Sequence, residues 1–201
     1  MRDINLKELE GRAWKATFED GLWDIMLGII FFVPAVNGLF AGSDYTLIPL
    51  YIAGIVLFVL GKKHITIPRI GLVRFGDERK KRSFIIAMML SLSVIVMILL
   101  IIVRKNGFLF QPGNFPAGSF IVGMNILLVF SAMAYFLNFT RLYLYAVLLG
   151  AVEPLTAVME QGDMISGPYL FLFVISGGMI LLGIFLLVRF IRNHPLQKEE
   201  V

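Results

Sequence analysis

Apolar residues in this chain gather in long uninterrupted blocks, with polar and charged residues confined to the stretches between them. Six blocks stand out: 22–41, 45–61, 84–103, 119–137, 142–159 and 168–190. Each approaches or meets the ~20 residues that an α-helix needs to cross ~30 Å of hydrocarbon. The second and fifth are the shortest, and each carries a proline, Pro49 and Pro154. The 84–103 block contains neither a charge nor a proline. Backbone groups in a bilayer must find partners within their own segment, so the blocks predict helices and not open strands. The alternating stretches of about 10 residues that build a membrane barrel are absent from the sequence. The pattern therefore predicts an all-α integral membrane protein. It has six transmembrane helices in a compact bundle, forming a single membrane domain over 1–201.

The segments between the blocks complete the picture. Residues 3–19 predict an amphipathic helix at the membrane interface. Leu6, Leu9, Ala13 and Ala16 share one side, and Glu8, Arg12, Lys15 and Glu19 the other. Gly42–Asp44 and Asn138–Arg141 predict tight turns between antiparallel neighbours. Residues 64–76 contain Pro68, Gly71 and Gly76 among alternating isoleucines, a pattern that predicts an extended ribbon. The 104–118 segment, with Phe108, Phe110 and Phe115, predicts an apolar loop lying on the outer mouth of the bundle. No cleavable leader is legible in the first twenty residues, so the first block is expected to be a retained anchor.

Composition agrees with this architecture. Of 201 residues 58% are hydrophobic and only 16% charged, which excludes intrinsic disorder. The chain has no cysteine and two histidines, His64 and His194, so neither a disulfide framework nor a thiolate or histidine-rich metal site is expected. No cofactor motif is present.

The net charge of +4 would suit a nucleic-acid partner, but the positions of the charges argue for topology instead. With both termini inside, sixteen Lys and Arg residues fall on the cytoplasmic side and two, Arg104 and Lys105, outside. The expected location is the cell membrane, multi-pass, with cytoplasmic N- and C-termini. Nucleic acid is not an expected partner. In the basic loop 62–83, Lys62, Lys63, Arg79, Lys80, Lys81 and Arg82 form a candidate contact for anionic lipid or a protein partner.

Ionisable residues within spans are the natural functional candidates, because burying them is expensive. Asp24 lies at the inner end of the first block, within a turn of water, and reads as a helix-end residue. Glu153 lies deeper, followed by the helix-weakening Pro154. Asn37 and Asn125 fall within one or two turns of the same depth. Glu153, Asn125 and Asn37 are thus a candidate polar pocket in the outer half of the bundle. Ala146 and Gly150 form a small-xxx-small pair suited to close helix contact.

No nucleotide, serine-hydrolase or zinc-protease signature is present in the sequence. The expected function is that of a binding, structural or regulatory component of a membrane assembly, with no catalytic activity of its own. A protein partner or a second copy of the chain would be its counterpart. The alternatives are a small transporter or channel-like subunit using Glu153, and third, a membrane enzyme acting on a lipid.

Overall fold

The computed structural model describes residues 11, 14, 17–40, 48–70, 77–105, 117–161 and 169–195. Among these there is no strand. The elements are α1 (Leu22–Phe40), α2 (Ile48–Ile70), α3 (Asp77–Lys105), α4 (Ala117–Leu137), α5 (Arg141–Gln161) and α6 (Tyr169–Asn193). Five of them, α1, α2, α4, α5 and α6, are long and apolar enough to cross a membrane, and α3 contains a shorter apolar stretch, Phe84–Leu100. The architecture is that of a helical membrane protein. The chain divides into two compact units. One is 1–75 with 172–201, and the other is 76–171.

In the first unit α1 packs against both α2 and the larger part of α6. Antiparallel register with α2 is set by Gly54, which faces Ile29, and Gly61, which faces Leu22. Antiparallel register with α6 is set by Gly28, against Ile180 and Ser176, and by Gly183, against Ile25 and Gly21. Gly21 precedes α1 with a φ of +79°, a conformation that glycine alone adopts freely. A Cβ there would also lie 2.3 Å from the Gly183 carbonyl oxygen. Leu22, Val33, Ala35 and Ser176 are fully buried at these contacts.

The continuity of α2 corrects the first part, 64–70, of the ribbon expected over residues 64–76. Residues Ile48–Gly61 are α-helical, Lys62–Thr66 form a π turn, and Ile67–Ile70 return to α. Ile67 N–H bonds to the Lys62 carbonyl, five residues back. The widened turn lies just before Pro68, which has no N–H to give and whose ring crowds the turn before it in a regular helix. Residues 71–76 lie outside the described residues. So do the first short turn, most of the 3–19 segment and the 106–116 loop.

In the second unit α4 and α5 form a tight antiparallel pair joined by the expected turn. Asn138 ends α4 with a φ of 55°, and Phe139 N–H reaches back to the Ala134 carbonyl at 3.0 Å, closing the helix end. Leu142, Tyr145, Ala146, Leu149, Val152 and Thr156 form the buried stripe of α5. Gly123 and Gly150 mark its closest approach to α4. A Cβ on Gly123 would lie 2.2 Å from the Gly150 carbonyl oxygen and 2.9 Å from Pro154 Cδ. Pro154 lacks the N–H that would bond to Gly150, and the absence of a side chain on Gly123 lets the α4 backbone close on that carbonyl.

Candidate functional site

The second unit holds two of the three residues of the expected polar pocket. Asn125 on α4 is half-buried, and its Nδ2 donates to Ser93 Oγ on α3 at 2.8 Å. Its hydrogen-bond partner is therefore Ser93. Glu153 falls on the buried stripe of α5 by helical spacing, four residues from Leu149 and three from Thr156. Both of those are buried, whereas Glu153 is exposed. One turn on, Thr156 Oγ1 donates to the Val152 carbonyl at 2.9 Å and to the Glu153 carbonyl at 3.0 Å. Asn37 is half-buried on α1 and belongs to the other unit.

The most concentrated polar chemistry lies in the first unit, at the start of α1. Asp20 and Asp24 are both fully buried. Asp20 Oδ1 accepts from Leu22 N–H at 3.1 Å, which ties the carboxylate to the first turn of the helix. Asp20 Oδ2 receives Lys62 Nζ at 2.6 Å and Thr66 Oγ1 at 2.5 Å. Lys62 Nζ also donates to the Thr17 carbonyl. The π turn spans the two α2 residues, Lys62 and Thr66, that converge on the one carboxylate oxygen. Lys62 senses the charge of Asp24 as well as that of Asp20.

An aromatic cluster lies beside this ion pair. Lys62 Nζ sits 5.5 Å from the centre of the Phe58 ring. Trp23 meets Phe58 edge-on at 4.8 Å and stacks on Phe18 at 5.6 Å, and Phe18 meets Trp14 at 5.3 Å. Full burial of Asp20 strengthens the charge-assisted hydrogen bonds that it accepts. It links the segment before α1, α1 itself and the end of α2. Its chemistry is that of a fastening, with Lys62 paired to Asp20.

This changes the standing of two residues. Asp24, expected within reach of water, is fully buried. Lys62, grouped by sequence with the free basic cluster, is turned inward to Asp20, with 16% of its side chain exposed. Its neighbour Lys63 is exposed, as are Lys81 and Arg82 on α3. Arg79 and Lys80 lie near the start of α3, and their side chains are outside the described residues.

A signal for the fastening is nonetheless present in the sequence. Asp20 and Asp24 are four apart where the first span begins, and Lys62 and Thr66 are four apart where the second ends. Spans joined by a short turn run antiparallel, so these pairs fall on one side of the membrane.

Among the described residues no group of three or more His, Cys, Asp or Glu could hold a metal ion. No family model matches the chain, and neither a curated protein nor a solved structure is significantly similar to it.

Proposed function

We propose that this protein is a multi-pass component of the cell membrane that spans it six times, with both termini cytoplasmic, and acts by binding within a membrane assembly. The observation that carries this reading is Glu153, an exposed carboxylate on the otherwise buried stripe of α5. An exposed acidic side chain in a span is better solvated by a polar or cationic neighbour than by lipid tails, whatever bonds it makes within the chain. Asn125, on α4 of the same unit, lies within about two turns of that depth, and the counterpart would be a protein helix or a second copy of the chain.

The test is photo-crosslinking of the full chain in membranes, with the reactive side chain at Ala157, one turn from Glu153, and at exposed Val147 for comparison. A discrete protein adduct at residue 157, lost with Glu153→Gln, is expected. Lipid adducts alone at both positions would overturn the reading. The same carboxylate supports a second reading, a small transporter or channel-like subunit. Reconstituted vesicles would then show a solute or proton flux that Glu153→Gln abolishes.

A further inference from the structure

The outward face of α6 carries a groove of about 330 Å³ lined by Phe185, Val188, Arg189, Arg192 and Asn193. All five are exposed. The spacing of Phe185, Val188, Arg189 and Arg192 is that of one helical stripe, at i, i+3, i+4 and i+7. The stripe runs about 10 Å along the axis and changes character once. Its first half is apolar and its second half cationic, and the change comes at the end of the last span. The opposite side of α6 is used for packing, through Ser176, Met179, Gly183 and Phe190.

At the end of α6, His194 has Nδ1 3.2 Å from the Phe190 carbonyl and its ring stacked on Phe190 at 4.6 Å. The groove holds two guanidinium groups and an amide beside an apolar wall. Guanidinium forks match phosphate oxygens in pairs. The apolar wall, one to two turns nearer the middle of the span, matches an acyl chain.

We propose that this groove binds one anionic glycerophospholipid, with its phosphate between Arg189 and Arg192 and an acyl chain against Phe185 and Val188. Charge complementarity selects an anionic headgroup over a zwitterionic one. The apolar wall selects a lipid over a free anion.

The test titrates the delipidated full chain in neutral detergent with phosphatidylglycerol or phosphatidylcholine and counts bound lipid by native mass spectrometry. Preferential retention of one phosphatidylglycerol is expected. Arg189→Gln/Arg192→Gln should weaken it about thirtyfold, from ~1 kcal/mol per basic side chain and tenfold per 1.4 kcal/mol. Val188→Trp fills the groove with both charges kept, and should also weaken retention. Equal retention of phosphatidylcholine, unchanged retention in both variants, or full displacement by inorganic phosphate would each overturn the proposal.

Discussion

Asp20 and Lys62, forty-two residues apart in the chain, meet at 2.6 Å, with the carboxylate sealed from solvent. The contact closes a loop that contains all of α1. Removing one member of such a pair leaves a buried charge without its counterpart, which is far more damaging than removing both.

Asp20→Ala and Lys62→Met should therefore each destabilise the protein by about 3 kcal/mol, the low end for a buried pair because Lys62 keeps some solvent contact. Asp20→Asn/Lys62→Met should be milder than Lys62→Met alone. Unfolding in detergent, followed by circular dichroism, measures this. Additive losses would show that the two side chains act separately.

Gly123→Ala should loosen the α4–α5 pair, since the new methyl would sit 2.2 Å from the Gly150 carbonyl oxygen. The expected loss is about 1–3 kcal/mol. Gly178→Ala is the contrasting case. No atom lies within 4 Å of its Cβ position, and alanine favours helix by roughly 1 kcal/mol. It should be neutral or stabilising in the same unfolding experiment.

The Ser93–Asn125 hydrogen bond joins α3 to α4 within the second unit. A double-mutant cycle with Ser93→Ala and Asn125→Leu should give a coupling of about 0.6 kcal/mol, typical of interhelical hydrogen bonds in membranes. A coupling near zero would mean that the amide finds an equivalent partner once Ser93 is gone.

Long apolar blocks made the helices legible, because hydrocarbon thickness constrains length directly. The first block, 22–41, corresponds to the helix Leu22–Phe40, and the fifth, 142–159, to the helix Arg141–Gln161. The error at the end of the second span has a physical cause. Lys62, Lys63 and Pro68 signal a helix end when each residue is weighed locally. A π turn makes room for the proline, and the buried Asp20 gives the first lysine a partner inside the fold. Both compensations are non-local. The polar residues within the spans show the same limit. Depth along a span follows from counting residues, whereas facing depends on neighbours. Counting set Glu153 and Asn125 at similar levels, and it could not assign Ser93 as the partner of Asn125.

Reporter fusions should distinguish the proposed orientation from its inverse. Reporters at either terminus, or inserted near Gly76, are expected to read as cytoplasmic, and one at Gly113 as external. An internal signal at Gly113 would require an odd number of crossings to be redrawn between those two points.

The π turn at Lys62–Thr66 also has an angular meaning. It holds one residue more than a regular turn, so it absorbs an extra residue in the screw of α2. A single-residue deletion there would leave a regular α turn, with the parts on either side kept nearly in phase. The same deletion one turn earlier, in plain α-helix, would rotate Lys62 and Thr66 by about 100° away from Asp20. The facing of Lys62 and Thr66 within α2 therefore depends on residue count as well as on residue identity.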